Sequence, residues 1–208
     1  MYDSTINPYL CETMKLQIDD KSFELMIEYD QIKKRARLIG IQLNVSYEHE
    51  HPIFLGVLNG SFMFMGDLMK EVNIACDVEF VRLASYRGDQ RQEEISELIG
   101  LEVDLKGRHV VIVEDVVDTG HTLAHTLDAI HAHQPASVAV CTLLYKPGAV
   151  LYRFDNIAYV GFEIPSEFVV GYGLDYKGLG RNMKDIYREV KIVEEADADD
   201  APKSDDTV

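Results

Sequence analysis

The run HVVIVEDVVDTGHT, residues 109–122, decides the fold. His109 to Val113 is short, apolar on both faces and bounded by polar residues, the pattern of a strand buried inside a parallel sheet. Two acids follow, then two valines, a Thr-Gly turn and helical periodicity from Thr122 to about His133. The order is strand, loop, helix. In an open parallel sheet ligands sit beyond the carboxyl ends of the strands, so Glu114 to Thr122 is where chemistry is to be sought.

Working outward, the same grammar repeats. The apolar run Ile53 to Leu58 ends at Asn59-Gly60-Ser61, and Ser61 to Val72 reads as the helix after it. Val78 to Leu83 predicts a second strand, running into Ser85-Tyr86-Arg87-Gly88-Asp89. Residues 86 to 97 carry almost no apolar periodicity and are expected to form a long, mobile, lid-like loop. Ser137 to Leu144 and Ala158 to Ile164 predict further strands, Lys146-Pro147-Gly148 closing the former, and Ile186 to Val193 a last edge strand. Ile32, Ala36, Ile39 and Leu43 recur at helical spacing after Asp30 as cap, so 30 to 45 should be an amphipathic helix with Lys33, Lys34, Arg35 and Arg37 in solvent. The expected class is α/β: an open, mainly parallel sheet flanked by helices, one domain over 1–193.

Composition bounds the partners. The chain has 208 residues, 47% of them apolar, and a formal net charge of −16. Such acidity argues against a nucleic-acid backbone as main ligand. Residues 194–208 hold seven acids and one lysine without an aromatic, and read as a disordered acidic tail. Cys11, Cys76 and Cys141 show no CxxC spacing, so neither a disulfide framework nor a zinc site is indicated; they read as buried thiols in a reducing compartment. No basic leader precedes an apolar core and no long apolar run occurs, so a cytoplasmic protein without membrane contact is the expectation.

The loop itself narrows the chemistry. Asp118 to Thr122 offers successive backbone N–H groups, two threonine hydroxyls, a glycine allowing close approach and a helix start behind it, which together make a phosphate cradle. It is neither GxxxxGK[ST] nor GxGxxG. Glu114, Asp115 and Asp118 would repel a bare phosphate unless they bind hydroxyls, a protonated group or a bridging metal. A sugar phosphate with free hydroxyls meets all these demands. The alternative, that the acids merely cap the next helix, uses one side chain and leaves two adjacent acids at the end of an apolar strand unexplained.

The stretch VVIVEDVVDTGHT resembles the phosphoribosyl-diphosphate signature of the type I phosphoribosyltransferases. GVLNGSFMFMGDL at 56–68, SYRGD from Ser85, Lys146-Pro147 and VGFEIPSEFVVGYGLDYKGLGRN from Val160 to Asn182 are similar to the hypoxanthine-guanine branch. The resemblance implies a core sheet with a small hood and a flexible loop that starts at Ser85 and Tyr86. It implies that Glu114 and Asp115 address ribose hydroxyls with Mg²⁺ alongside, and that Asp118, Thr119, Gly120, His121 and Thr122 wrap the 5-phosphate. Asp118 is also the implied carboxylate facing purine N7. Lys146 would donate to the 6-oxo group, Phe168 would stack on the base, and Val169 and Asp175 would lie at its edge. Asp175 would also be a second magnesium ligand, while Arg181 and the Asn59-Gly60 loop would hold pyrophosphate. The implied partners are a purine base and phosphoribosyl diphosphate, in a homo-oligomer, dimer or tetramer.

Two positions depart from that pattern. Asn59 stands where relatives commonly carry Lys or Arg, and His121 replaces a variable, often basic residue. Two other functions stay open on these residues: a nucleotide-sensing regulator built on the same fold, and a transferase preferring xanthine. No basic patch or added DNA-binding segment favours the former.

Overall fold

The computed structural model describes residues 15–85 and 96–190. Cys11, Tyr86 and the acidic segment 194–208 lie outside them. β1 (Lys15–Ile18) and β2 (Lys21–Ile27) form a hairpin, followed by α1 (Tyr29–Ser46), β3 (Ile53–Val57), α2 (Phe62–Met69), β4 (Asp77–Ser85) and β5 (Ser96–Ile99). Then come β6 (His109–Val117), α3 (His121–His131), β7 (Ser137–Tyr145), β8 (Ile157–Glu163), β9 (Val169–Val170) and β10 (Ile186–Val190).

The main sheet has the order β5-β4-β3-β6-β7-β8, parallel except for β5, which pairs antiparallel with β4. The expected α/β class is the observed one. Alternation along β6 feeds two cores: Val111 and Val113 join Ile32, Leu43, Phe64 and Leu68 of α1 and α2, while Val110 and Ile112 join Leu123, Leu127 and Ile130 of α3. A strand buried on both faces needs this continuous apolar run. The strand runs on past the expected Val113 to Val117, because Glu114, Val116 and Val117 still pair with β7, so Glu114 and Asp115 belong to its carboxyl-terminal part rather than to the loop.

The second sheet, β1-β2-β10-β9, forms the hood over a small cluster of Ile18, Phe23 and Val170. Its hairpin was not anticipated. β10 is also not the expected edge strand, because β2 and β9 pair with it on either side.

Helix α1 buries Ile32, Ala36, Ile39 and Leu43 as anticipated, and Lys33, Lys34, Arg35 and Arg37 are exposed. Its cap is Glu28 rather than Asp30: the Glu28 N–H donates to Gln31 Oε1 at 3.0 Å, and the Tyr29 N–H to Asp185 Oδ1 at 2.8 Å. Asp30 sits in the first turn instead, paired with Lys33 at 2.9 Å. Helix α2 stops at Met69, short of the expected Val72, because Asn44 of α1 takes over the hydrogen bonding at its end. The Asn44 Nδ2 donates to the Glu71 carbonyl at 3.0 Å and its Oδ1 accepts from the Asn73 N–H at 2.9 Å. Cys141 is buried, Cys76 only partly. No helix among the described residues is long and apolar enough to cross a membrane.

Candidate active site

The carboxyl ends of β3 and β6 and the start of α3 enclose a cavity of about 260 Å³, lined by Gly60, Glu114, Asp115, Asp118, Thr119, Gly120 and Thr122 among others. The sequence alone had grouped these residues. Gly120 is the N-cap of α3 and lies in the left-handed region at φ 87°, without any side-chain cap bond. Helix capping therefore does not account for the acids before it, and the loop's backbone is free to face a ligand.

Glu114 is 5% exposed and its Oε1 has no hydrogen-bond partner. Burial, with the Asp115 charge beside it, holds its carboxyl well above the ordinary range. Burial likewise pushes Asp115 up to about 6, against the backbone bond from Val116 and the Arg181 charge, with Asp175 adding to the rise. Neighbouring buried acids with this bias call for hydroxyl donors or a cation.

The folded value of Asp115 is raised, so its effect on stability has a definite sign. Unfolded, this carboxyl ionises near its ordinary 3.8, whereas the folded one keeps its proton to about 6. Its contribution is full below pH about 4 and is lost between about 4 and 6, a change of about 3 kcal/mol. Asp115→Asn, measured without ligand, should therefore gain thermal stability relative to the native chain across that interval and hold the gain above it. A stability difference independent of pH would refute this account.

Two backbone approaches position the pair. A Cβ at Gly60 would lie 1.5 Å from Asp115 Oδ2, and one at Gly173 only 2.0 Å from the Gly60 carbonyl oxygen. Gly173, at φ 100°, thus lets the segment after β9 pack on the loop after β3. The Leu58–Asn59 peptide bond in that loop is cis. Asn59 is exposed, while Gly60 and Ser61 are buried.

Asp175 and Arg181 meet at this junction. Arg181 Nη2 lies 2.5 Å from Asp175 Oδ1, its Nη1 donates to the Gly173 carbonyl at 2.7 Å, and Asp175 Oδ2 accepts from the Gly178 N–H at 2.7 Å. Lys146, just past β7, is 5% exposed and its Nζ lies 2.5 Å from Asp118 Oδ2. That contact joins the two residues expected at neighbouring atoms, N7 and the 6-oxo oxygen, on one edge of a base.

Phe168 divides from its neighbours: it is 40% exposed, whereas Val169 and Val170 are buried core. Phe23 and the edge of Tyr176 pack against its ring, and Lys21 Nζ stands 4.8 Å from its centroid. Ser85 closes β4 opposite Ser96, so residues 86–95 join those two strands. Sequence reading missed two supports, because each joins residues from separate elements of the chain. The Tyr172 hydroxyl donates to Asp67 Oδ2 at 2.7 Å, and the Tyr152 hydroxyl lies 2.7 Å from His121 Nδ1.

A profile of the phosphoribosyl transferase domain family matches residues 28–177. The chain belongs to the phosphoribosyltransferase family. It is 38% identical over 164 residues to the hypoxanthine phosphoribosyltransferase of Haemophilus influenzae, covering 77% of this chain and 91% of that one. The enzyme of the same name from Escherichia coli K12 is 38% identical over 82% of this chain and 97% of its own. A crystal structure of a hypoxanthine phosphoribosyltransferase from Staphylococcus aureus superposes with a TM-score of 0.73 at 33% identity, covering 80% of this chain and 91% of that chain. This phosphoribosyltransferase thus shares its fold with a relative named for hypoxanthine.

Proposed function

We propose that this protein transfers the 5-phosphoribosyl group from 5-phosphoribosyl 1-diphosphate to N9 of hypoxanthine or guanine, releasing pyrophosphate, as an enzyme of purine salvage. The observation that carries the reading is the single cavity shared by Glu114, Asp115 and the Asp118–Thr122 loop, with Lys146 held at Asp118. The bond from N9 to the anomeric carbon forms as the bond to diphosphate oxygen breaks, and the proton on the base goes to Asp118. Lys146 donates to the 6-oxo group. The amino group of adenine presents donors there, so it meets the ammonium badly. Phe168 supplies the exposed ring on which the base stacks, and the Val169 main chain lies at the base edge.

The amides and hydroxyls of residues 118–122 hold the 5-phosphate, while Asn59, Gly60, Arg181 and Asp175 border the pyrophosphate side. Glu114 and Asp115 suit the ribose hydroxyls and a magnesium ion. The unpartnered Glu114 Oε1 fits such a cation. Such an ion would take one or two carboxylates and complete its shell with substrate oxygens and water. When bound, such an ion neutralises charge on the departing pyrophosphate. Residues 1–193 then act as one catalytic unit; the flexible loop expected to start at Ser85 and Tyr86 lies, beyond Ser85, outside the described residues.

A cytoplasmic homo-oligomer is proposed with this activity. Leu38, Ile41 and Val45 line the outer face of α1 and are 54%, 52% and 73% exposed, more apolar surface than a helix needs in water. Sedimentation giving a monomer at micromolar concentration would remove the oligomer. Mixing the protein with magnesium, phosphoribosyl diphosphate and each purine in turn tests the activity. Nucleotide from hypoxanthine or guanine is expected, and formation from xanthine alone would shift the assignment.

The Asn59 departure gives a graded prediction. Arg181 is the cation near the diphosphate side, so Asn59→Lys should tighten pyrophosphate binding several-fold, mainly at low salt where screening is weak. Equal affinities in both proteins at two ionic strengths would assign the holding to backbone at 59–61.

A further inference from the structure

The segment after Lys146 turns back onto the phosphate loop at three points. The Leu151 N–H donates to the Thr119 carbonyl at 3.0 Å. A Cβ at Gly120 would lie 2.7 Å from Phe154 Cε2 and 3.3 Å from Tyr152 Cδ2, so those two rings occupy the space a side chain there would need. The Tyr152 hydroxyl lies 2.7 Å from His121 Nδ1, and the two rings meet edge to face at 5.2 Å. His121 is exposed. Its Nε2 makes no hydrogen bond to any described residue.

An exposed histidine at the first position of a helix has several rotamers open to it, and fixing one costs side-chain entropy. Here the cost is met before any ligand arrives, because Tyr152 is itself braced by the Phe154 ring 5.9 Å away and by Gly120. His121 stands between Gly120 and Thr122, which both line the cavity that holds the unpartnered Glu114 Oε1, so the site beside it is built to be completed by a ligand.

We propose that Tyr152 is a positioning residue for the phosphomonoester end of the sugar ligand, fixing His121 so that its Nε2–H is offered at the mouth of the 118–122 loop. This rests on the transferase reading above. A tyrosine hydroxyl serves both charge states of the ring. It donates to Nδ1 of neutral imidazole, leaving the proton on Nε2, and it accepts from Nδ1–H of imidazolium. Phenylalanine does neither, yet keeps the ring that packs on Gly120. His121, the departure from the usual basic residue, thereby becomes an oriented donor in place of a flexible one.

Ribose 5-phosphate, with ribose as control, is titrated calorimetrically into the native protein, Tyr152→Phe, His121→Ala and the double variant. Tyr152→Phe should weaken ribose 5-phosphate about three- to tenfold, the worth of one hydrogen bond. The double variant should bind no worse than His121→Ala. In the transfer assay the loss should fall on KM for phosphoribosyl diphosphate rather than on kcat. Native affinity in Tyr152→Phe, or losses that add in the double variant, would overturn the proposal, as would a native protein that does not bind ribose 5-phosphate. Binding without any transfer would instead overturn the transferase reading, and the variants would still decide the role of Tyr152. A measurement needing no variant is the imidazole nitrogen shifts of His121: ribose 5-phosphate should move Nε2 while Nδ1 keeps its hydrogen-bonded value. An unmoved Nε2 refutes the idea.

Discussion

Asp118→Asn is expected to lower kcat about 10²- to 10⁴-fold, the usual worth of a general base, while the fold survives. The amide keeps the shape of the carboxylate and its oxygen still accepts from Lys146 Nζ, which lies 2.5 Å from Asp118 Oδ2. What it cannot do is take a proton from the purine as N9 bonds to the sugar. The Asp118 side chain is 48% exposed, so replacing it disturbs no packed interior. The rate is to be followed at saturating base and phosphoribosyl diphosphate, with thermal unfolding as the control on structure. Turnover within a factor of about two of the native enzyme would take the proton-transfer role away from Asp118.

Why could the sequence name Asp118 and not Tyr152? The chemistry is contiguous: the strand with its two acids, the turn and the helix start follow one another from His109 to Thr122, so the residue order is nearly the spatial order. Strands buried on both faces, such as Ile53–Val57 and His109–Val113, betray themselves by unbroken apolar runs. The β1–β2 hairpin does not, because most of its side chains are exposed or partly buried and only Ile18, Phe23 and Ile27 go fully inside. Its partner β10 is more than 150 positions away in the chain, at Ile186–Val190, and no local pattern announces such a pairing. The supports of the site are hidden for the same reason. The Tyr172 bond to Asp67 spans 105 positions, and the approach of Gly173 to Gly60 is a matter of backbone clearance, which leaves no mark but a glycine. Phe168 shows the opposite limit. By pattern alone Phe168-Val-Val170 is no different from a core strand, and the exposure of Phe168 separates it from its buried neighbours.

Lys146→Met should lower kcat/KM for hypoxanthine by about 10- to 150-fold, the equivalent of the 1.5–3 kcal/mol carried by a charge-assisted hydrogen bond. Use of adenine should not fall with it. The ammonium that serves a 6-oxo acceptor faces two N–H donors when the base is adenine, so its removal takes away a mismatch as well as a contact. The hypoxanthine-to-adenine ratio is therefore expected to drop at least about tenfold. Methionine suits the test because the lysine side chain is 6% exposed and a straight, apolar replacement fills the same channel. The variant also leaves Asp118 without its cation, but Asp118 is half open to water and can be solvated there. KM for phosphoribosyl diphosphate should change far less than the base preference, since in the proposed reaction base and diphosphate sit on opposite sides of the anomeric carbon. Measuring kcat/KM for both bases at fixed, saturating phosphoribosyl diphosphate separates the two effects. An unchanged ratio would remove Lys146 from the base subsite and leave its 2.5 Å contact with Asp118 as a purely structural ion pair.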